Sequence, residues 1–453
     1  MSKLYVGYSR VDYTPDESVP LRGYGKSSER MSKNVLDPLY VTCLAFRDEE
    51  GTTALVFAMD VCSPGNVCTE RWRPAVSRAT GIPMERIMVS GSHNHSSPDL
   101  HNYEEPSIAR LKDRLEVQFV EAAQAALADC APATACCTEA KTHKLNFVRR
   151  LIMEDMTYAG DNYGRRDRGQ IKCYETKADP MLRLLKFRRE GKKDIMVVNF
   201  QVHPHRTGGL TAPDISSDIV GSMRIKLERE LDCQVAFFQG GGGNINPFSY
   251  IEEDNITSDY IEHGEALADY AIKAENTYEP VKLGKVQNLS RTKVFPVDHS
   301  QDHRADDARK LLAEYKSPED FERCTELAQQ MGFNSVYHPE LLLEKAAMGA
   351  EQDIELNTIT IGDVAFAFAN YEMFDTNANE IRNYSPFKMT FVCTSCNLDE
   401  DHGYMYIPSQ IGFDHGGYTV DSCAFLPGTG EKMAREYGYM LCELYHPDDL
   451  KED

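Results

Sequence analysis

The sequence predicts an α/β fold, with a mixed β-sheet core that is layered with helices and carries a helical insertion. Three observations support this prediction. Short apolar runs bounded by turn residues recur along the 453 residues and are typical of buried strands. Segments with helical spacing lie between several of these runs, which is the alternation of α/β folds. From residue 299 to 352 the composition changes to charged, Ala-, Leu-, Glu- and Lys-rich sequence.

The apolar runs are rich in β-branched and aromatic residues, which favour extended backbone. The predicted strands are 53–59, 87–90, 195–202, 235–239, 364–369 and 389–394, and the predicted helices are 108–127, 219–231, 266–274 and 431–445. We expect one domain over residues 1–453, with a helical insertion or lid at residues 299–352. A solvated pair of helices is the alternative interpretation of that insertion.

The charge balance excludes two classes of partner. The chain has 71 acidic and 49 basic residues, a formal net charge of −22. Proteins that bind nucleic acid or anionic membranes need clustered Lys and Arg, so we expect neither partner. The first residues lack the apolar stretch of a signal peptide, and no later run approaches the roughly 18 apolar residues of a membrane span. We therefore expect a cytoplasmic protein that acts on a small molecule, and a homo-oligomer is compatible with the sequence.

Thirteen cysteines are scattered without a disulfide-like framework, which fits a reducing compartment. Only Cys393 and Cys396 form a CxxC motif. A four-cysteine zinc site needs a second such motif, and adjacent Cys136 and Cys137 do not supply one. We interpret Cys393 and Cys396 as packing residues.

Two His-x-His pairs follow predicted strands. His93 and His95 come after the strand at 87–90, and His203 and His205 come after the strand at 195–202. Strand ends are where α/β enzymes place their sites, and neutral imidazole is a common zinc ligand. In extended backbone, residues i and i+2 face the same side, so both members of a pair can face one pocket. The pairs therefore predict a metal site, although a single histidine there could instead cap a strand.

Three more polar segments follow predicted strands. Four glycines, residues 240–243, follow the strand at 235–239 and precede Asn244 and Asn246. Such a run permits close backbone approach and can present N–H groups to an anion, or it can form a tight structural turn. It lacks the spacing of a dinucleotide or P-loop motif. Glu372 follows the strand at 364–369, and residues 401–406, which end with Tyr406, follow the strand at 389–394.

Together these segments resemble the N-terminal catalytic domain of the neutral, non-lysosomal ceramidase family. The opening residues 5–12 with Arg22-Gly-Tyr24 look like that family's start, and residues 57–60 resemble its strand that ends in Asp. Residues 90–98, Ser-Gly-Ser-His-Asn-His-Ser-Ser-Pro, are similar to its S-A-T-H-T-H-S-G-P motif. Residues 200–204 and 215–218 resemble its second ligand segment. The resemblance implies the same fold and a metal-dependent amidase-like activity.

The resemblance also implies a ligand set. It matches His93 and His203 to zinc-binding histidines, and Glu372 to the Glu of a G-E-F-T motif. Tyr406 and Tyr418, twelve residues apart, reproduce the spacing of a zinc-ligand tyrosine and a substrate-contacting tyrosine. We therefore expect one Zn²⁺ per chain on His93, His203, Glu372 and Tyr406. Manganese or iron would suit the same His and carboxylate ligands.

The resemblance fails at one motif. The family's G-D-x-S-P-N, which holds a catalytic Ser, reads Gly243-Asn-Ile-Asn246-Pro-Phe248 here. Both the acid and the hydroxyl are amides, so a serine-dependent route is absent at this position. The family also has a signal and a C-terminal β-domain that we do not find in this sequence. Ceramide is therefore not the expected substrate.

These residues suggest a division of roles in which metal-bound water is the nucleophile. We expect His95 to transfer protons, and Tyr418, Asn246 or N–H groups that include those of Gly242 and Gly243 to stabilise the developing oxyanion. A substrate-contacting arginine of the family falls at Arg149 or Arg150, and the resemblance does not choose between them. Anionic groups of the substrate are expected on Arg149, Arg150, His205 and Arg206.

The leading hypothesis is a zinc-dependent hydrolase that cleaves a non-peptide carbon–nitrogen bond in a small polar amide. Esters or lactones would be cleaved by the same chemistry. Other hypotheses are a metal-dependent lyase or isomerase and a noncatalytic metal- or ligand-binding protein. A two-metal site that recruits His95, His205, Asp60 or Asp218 is a further alternative.

Overall fold

The fold is described from a computed structural model, for residues 3–24, 27, 30–102, 104–160, 171–209, 212–317, 320–396 and 406–446. The strands are β1 (Leu4–Asp12), β2 (Tyr40–Arg47), β3 (Thr53–Met59), β4 (Ile87–Gly91), β5 (Ala131–Lys141), β6 (Phe147–Val148), β7 (Arg150–Met153), β8 (Tyr158–Gly160), β9 (Ile171–Tyr174), β10 (Met181–Arg189), β11 (Ile195–Phe200), β12 (Gln234–Gln239), β13 (Ile245–Asn246), β14 (Glu279–Val281), β15 (Val286–Pro296), β16 (Glu351–Ile361), β17 (Val364–Phe368), β18 (Glu372–Met373), β19 (Met389–Cys393) and β20 (Tyr406–Ile407). The α-helices are α1 (Arg73–Thr80), α2 (Pro106–Ala128), α3 (Asp218–Leu231), α4 (Tyr260–Lys273), α5 (Ala305–Glu314), α6 (Phe321–Gln330), α7 (His338–Ala347), α8 (Asp375–Tyr384), α9 (Gln410–His415), α10 (Tyr418–Asp421) and α11 (Thr429–Leu444). Among the described residues, no helix has both the length and the apolar composition that crossing a bilayer requires.

Two mixed sheets pack face to face in the core. The larger has nine strands in the order β12-β11-β10-β5-β1-β2-β3-β4, with β14 beside β5, and the smaller has four in the order β15-β16-β17-β19. Phe46 of the larger sheet contacts Phe366 of the smaller one at a ring-centroid distance of 6.0 Å, within a buried cluster that both sheets supply. The predicted mixed core layered with helices is confirmed, and it contains two sheets rather than the single sheet we expected.

Helices cover the outer faces of both sheets. α1 and α2 pack on the larger sheet over β2 and β3, and α3 and α4 pack on it over β10 to β12. α8 and α11 cover the smaller sheet. In β17, Phe366 and Phe368 face the larger sheet while Ala365 and Ala367 face these helices. Both faces of the strand are buried, which is why it reads as a continuous apolar run.

Helices α5, α6 and α7 lie between β15 and β16, within the range predicted as a helical insertion. We call residues 305–347 the helical segment. It has a small apolar cluster of its own that includes Leu311, Phe333 and Leu342. His338 Nδ1 lies 3.2 Å from Asp421 Oδ2, so the segment is attached to the end of α10.

Strand direction brings the ligand-bearing segments together. The pairs β3 and β4, β11 and β12, and β17 and β19 are parallel. Parallel neighbours end at the same edge, which is where α/β folds place their sites. At this edge the Gly91 N–H donates to the Ser395 carbonyl at 3.0 Å, and the Thr394 N–H donates to the Gln239 carbonyl at 2.9 Å. These bonds join the two sheets where the His-x-His pairs, the glycine run and Glu372 emerge.

A buried ion pair joins β3 to α3 at the same edge. Arg224 donates to both oxygens of Asp60, at 3.0 and 2.8 Å, and the two side chains are 6% and 5% exposed. Bidentate geometry satisfies the carboxylate and the guanidinium together. Asp60 is therefore held by Arg224 through both of its carboxylate oxygens.

Replacing Arg224 with Met leaves the Asp60 carboxylate buried without its partner. We expect the free energy of unfolding to fall by about 3–5 kcal/mol, the cost of breaking a buried pair from one side. Lys193→Met is the matched control, because the Lys193–Asp232 pair is 58% and 83% exposed. The control should lose less than about 1 kcal/mol. Denaturant unfolding followed by circular dichroism measures both, and equal losses would contradict a structural role for the Asp60 pair.

Candidate active site

Three histidine rings and one carboxylate converge at the ends of the strands. The Nε2 atom of His93 is 3.0 Å from Nε2 of His203 and 3.2 Å from Nε2 of His95. Glu372 Oε2 is 3.2 Å from His93 Nε2 and 3.9 Å from His203 Nε2. All four side chains are buried. The cluster thus brings together three of the four predicted metal ligands and His95.

The hydrogen bonds of the Nδ1 atoms define the tautomer of His93 and of His203. His93 Nδ1 lies 3.0 Å from the Cys62 carbonyl oxygen, and His203 Nδ1 lies 3.2 Å from the Gly242 carbonyl oxygen. A carbonyl oxygen only accepts, so each Nδ1 carries the hydrogen and each Nε2 presents a lone pair. The Glu372 Oε2 atom beside them is buried and faces the Nε2 atoms of both histidines. Atoms of this kind require a positive charge between them, either a metal cation or a proton.

The spacing of these atoms fits a metal. Ligand atoms about 2.0–2.1 Å from a tetrahedral zinc lie about 3.3 Å from one another. Burial lowers the pKa of His95 and of His203 well below the usual value, which keeps both rings in the neutral form that binds metals. Burial also acts to lower the pKa of His93, but the Glu372 carboxylate outweighs it and the pKa is raised well above the usual value. A proton at His93 therefore competes with the metal for this position.

Strand pairing places the fourth predicted ligand beside the third. β18 and β20 are parallel neighbours, with Glu372 in register with Tyr406. The preceding residue, Tyr371, has a φ of 66°, a strained value that is typical of functional sites. Burial raises the pKa of the Tyr406 phenol well above its usual value, and the guanidinium of Arg149 lies 5.3 Å from its ring centroid. Tyr406 lines the same cavity as His93 and Glu372.

The glycine run supports the ligands from behind. The Gly243 N–H donates to the Met373 carbonyl at 3.1 Å, so it is not turned toward a substrate. A Cβ at Gly243 would collide with the Glu372 carbonyl oxygen, and one at Gly242 would lie 2.8 Å from the Val202 carbonyl oxygen. The carbonyl groups of Gly242 and Gly243 accept from His203 and from Arg149. Both glycines therefore position the candidate ligands, the Gly243 N–H is used within the fold, and a role of the Gly242 N–H in substrate binding stays a prediction.

A reciprocal amide–carboxylate pair fixes the end of this run. Asn244 Nδ2 donates to Asp375 Oδ1 at 2.7 Å, and the Asp375 N–H donates to Asn244 Oδ1 at 2.9 Å. Burial raises the pKa of Asp375 to about 6. The pair holds the glycine run against the first turn of α8, three residues after Glu372.

A cavity of about 640 Å³ opens from the histidine cluster. This volume suits a small-molecule ligand. Eight of the predicted site residues line it: His93, His95, Arg149, His205, Asn246, Glu372, Tyr406 and Tyr418. His205 Nε2 is 3.1 Å from Asn246 Oδ1, and the rings of Tyr406 and Tyr418 are 5.5 Å apart. Residues 401–405 of the predicted segment lie outside the described residues.

Two predicted substrate-binding arginines are placed elsewhere. Arg150 is fully buried and donates to Glu175 at 2.8 Å and to Thr419 Oγ1 at 2.7 Å. Arg206 donates to the Thr257 carbonyl at 2.9 and 3.3 Å. Neither is among the described residues that line the cavity, whereas Arg149 is. The structure thus separates the two arginines that the sequence left equivalent.

The second-metal hypothesis loses two of its four candidate ligands. Asp218 accepts from the Thr207 N–H at 2.6 Å and from the Ile219 N–H at 2.7 Å, and Asp60 is paired with Arg224. His95 and His205 remain, and each has a buried Nδ1 with no hydrogen-bond partner. The CxxC cysteines are both fully buried in the core, as expected of packing residues.

Sequence reasoning missed several residues that line the cavity. Cys62 contributes a thiol 4.0 Å from His93 Nδ1. Phe248 and Tyr250 follow β13, and Phe321 and Tyr337 come from the helical segment. Of these aromatic residues, only Phe248 belongs to a motif that the sequence singled out, Asn246-Pro-Phe248.

Two solved structures are similar to this chain over nearly its whole length. Neutral ceramidase from Pseudomonas aeruginosa gives a TM-score of 0.72 at 15% identity, over 98% of this chain and 75% of that one. A ceramidase complexed with C2 gives 0.71 at 14% identity, over the same shares. This chain has the neutral ceramidase fold.

The ceramidase likeness is one of fold. No protein-family model and no curated protein matches the sequence. The low identity indicates a divergent chain. The His-x-His and Tyr motifs resemble those of the ceramidases, but Asn244 and Asn246 stand where the ceramidase motif has Asp and Ser. The fold therefore explains where the site lies, and the chemistry has to be argued from the residues of this chain.

Metal analysis tests the histidine cluster. We expect elemental analysis of untagged protein to find about one metal ion per chain. His93→Ala and His203→Ala should each lose it, because each removes a lone pair that faces the centre. His299→Ala is the control, because His299 contacts Asp302 and the Gly349 carbonyl, which lie just outside the two ends of the helical segment. A folded wild type that contains no metal and takes none up on reconstitution would contradict this assignment.

The raised pKa of Asp375 predicts a pH dependence of stability. An acid whose pKa is raised by folding stabilises the protein below its unfolded pKa, and this contribution is lost as the pH rises through the folded value. With a pKa of about 6 instead of 3.8, the loss between pH 4 and 7 is about 3 kcal/mol. Asp375→Asn stays neutral, so its unfolding free energy should fall less than that of wild type over this range.

Denaturant unfolding of metal-free protein at several pH values measures the difference. The exposed Asp307→Asn variant is the control and should follow wild type, because Asp307 is 55% exposed and pairs with Lys310. Parallel profiles for wild type and Asp375→Asn would show that the buried carboxyl group does not titrate in this range.

Proposed function

We propose that this protein is a zinc-dependent hydrolase that cleaves a carbon–nitrogen bond in a small polar amide. The observation that carries the proposal is the convergence of the His93 and His203 Nε2 atoms and the buried Glu372 oxygen on one point beside a cavity. Support also comes from the fold, because both similar structures are of ceramidases, which are amide hydrolases.

His93, His203, Glu372 and Tyr406 would hold the metal. A bound zinc ion supplies Lewis acidity and lowers the pKa of its water toward about 7. Glu372 contributes a negative charge that offsets the ion in a buried site. Cys62 and Gly242 fix the orientation of the two imidazoles through their carbonyl oxygens, as second-layer partners of metal ligands do.

His95 is the candidate for proton transfer. It lines the cavity, its Nε2 lies 3.2 Å from His93 Nε2, and burial lowers its pKa, so it is a neutral base at pH 7. A neutral imidazole can take the proton that the nucleophile loses and deliver it to the departing nitrogen. Tyr24 packs edge-on against the His95 ring at 5.2 Å and holds its orientation. Gly23 permits this approach, because its φ is 116° and a Cβ there would collide with the His95 ring.

Tyr418 and Asn246 are the candidate donors to the oxyanion. Tyr418 begins α10 and lines the cavity beside Tyr406. The Asn246 Oδ1 atom faces His205 Nε2, which leaves the amide N–H groups as donors. Donors that are already oriented stabilise the developing charge without reorganisation.

Arg149 is the candidate for recognition of an anionic group on the substrate. Its Nη2 donates to the Gly243 carbonyl at 2.7 Å, which fixes the guanidinium at the cavity wall. A fixed planar fork of donors matches a carboxylate. A polar amide with a carboxylate near the scissile bond is therefore the proposed substrate class.

We place the proposed activity in the cytoplasm. All thirteen cysteines are free thiols, and ten of them are buried. Scattered free thiols suit a reducing compartment.

Turnover of N-acyl amino acids by the zinc-loaded protein tests the proposal. We expect release of a free amine and incorporation of one oxygen from labelled water into the acid product. Tyr418→Phe should lower kcat by about 10²-fold with little change in KM, because a donor to the transition state is lost. Tyr439→Phe is the matched control, because Tyr439 lies on α11 and is 62% exposed.

Other outcomes identify the competing hypotheses. A product of unchanged mass would support an isomerase, and fragments whose masses add up to that of the substrate would support a lyase. Zinc binding with ligand-induced stabilisation and no turnover would support a noncatalytic binding protein.

A further inference from the structure

The cavity has an aromatic wall that leads away from the histidine cluster. The ring of His205 lies 5.3 Å from the ring of Phe248, which lies 6.1 Å from the ring of Tyr250. Phe248 and Tyr250 are both half-buried and both line the cavity. Together the three rings form a row that begins beside the proposed metal ligands.

The helical segment supplies a second aromatic pair to the same cavity. Phe321 at the start of α6 and Tyr337 just before α7 have ring centroids 5.5 Å apart. Leu341 lies one helical turn after Tyr337 and also lines the cavity. The apolar cluster within the segment is made by other side chains, so these two rings are not part of its core.

This second wall is held in place before any ligand arrives. The Asn334 side chain donates to Asp421 Oδ2 at 2.5 Å, and His338 Nδ1 lies 3.2 Å from the same oxygen. Asp421 belongs to α10, which begins with Tyr418. The aromatic pair and the candidate oxyanion donor are therefore positioned by one connection, and a preorganised wall reduces the entropic cost of binding.

The contacts that aromatic side chains prefer indicate which kind of ligand these walls favour. Aromatic pairs favour offset or edge-to-face contacts at centroid distances of about 4.5–7 Å, and they gain energy beyond the area they bury. The two rings that follow β13 and the two rings of the helical segment are half-buried, and they can make such contacts with a planar ring. Leu341 adds an aliphatic contact beside them. The volume of about 640 Å³ limits the ligand to a compact molecule.

We infer that Phe248, Tyr250, Phe321 and Tyr337 form a subsite for an aromatic ring, so that the substrate is a small amide with an aryl group close to the scissile bond. This inference names a substrate class for the proposed amide hydrolysis and rests on it. The helical segment thus lines the cavity and determines which substrates bind.

Matched pairs of amides test the subsite. N-Acetylphenylalanine is compared with N-acetylcyclohexylalanine, and phenylacetylglycine with cyclohexylacetylglycine, so that the ring is presented from either side of the bond and the carboxylate is kept. We expect the zinc-loaded protein to favour the aromatic member of at least one pair by about fivefold in kcat/KM. In Phe321→Leu and Tyr337→Leu, this ratio should fall below about twofold, because the apolar contact remains and the ring contact is lost.

Tyr439→Leu is the matched control and should keep the wild-type ratio. Metal content and the thermal unfolding midpoint of each variant confirm that the fold and the histidine cluster are intact. Hydrolysis with no aromatic preference would overturn the subsite and leave the proposed function standing.

If none of the amides is hydrolysed, calorimetric binding of the same four compounds decides the question. Tighter binding of an aromatic member that is lost in Phe321→Leu and Tyr337→Leu would support the subsite although the proposed function had failed. Equal affinities within each pair, or no binding, would overturn it.

Discussion

The structure depends on a group of atoms that cannot be buried together without a cation. Two imidazole lone pairs and one carboxylate oxygen meet within 3.0 to 3.9 Å of one another at the ends of strands from both sheets. A proton on His93 satisfies this requirement partly, and a metal satisfies it fully. We therefore expect a metal bound at the proposed site to stabilise the fold, since the strand ends that carry the candidate ligands are also where the two sheets are joined.

The backbone at this edge is distorted in ways that serve the cluster. His93, Tyr371 and Ser395 all have positive φ values, of 62°, 66° and 53°. Each lies shortly after the end of a strand that reaches this edge, β4, β17 or β19. The Val61 carbonyl accepts from the His93 N–H at 2.9 Å, and the Tyr371 carbonyl accepts from the Ser395 N–H at 3.3 Å. Strain of this kind persists only where surrounding contacts enforce it, which is typical of sites that must hold ligands in place.

Several strands that are buried on both faces were predicted from the sequence, although others such as β2 were not. Strands such as β17 read as unbroken apolar runs because one face packs on the other sheet and one on helices. The sequence did not predict β15, an edge strand of the smaller sheet whose side chains are mostly half-buried and mixed in character. Nor did it predict α8, which is largely polar and holds Asp375 against the glycine run. Such elements are defined by partners distant in the chain.

The candidate site shows the same limit. Residue type and position after a strand were enough to single out the two His-x-His pairs. The choice of His93 and His203 as ligands, and the roles of Glu372 and Tyr406, came from the family resemblance. The same information could not separate Arg149 from Arg150. The backbone turns their side chains to different surroundings: one lines the cavity and the other pairs with Glu175. The aromatic residues of the helical segment could not be assigned either, because more than sixty residues of sequence separate them from Phe248.

Asn246 defines how far the ceramidase likeness can be extended toward function. An amide in place of a hydroxyl cannot attack a carbonyl carbon, so Asn246 supplies no nucleophile and our proposal assigns that role to water. The same amide can still donate a hydrogen bond, and its contact with His205 orients it toward the cavity. The change therefore removes one chemical role and preserves another. That combination is consistent with a site that keeps its metal ligands and oxyanion donors while accepting a different substrate.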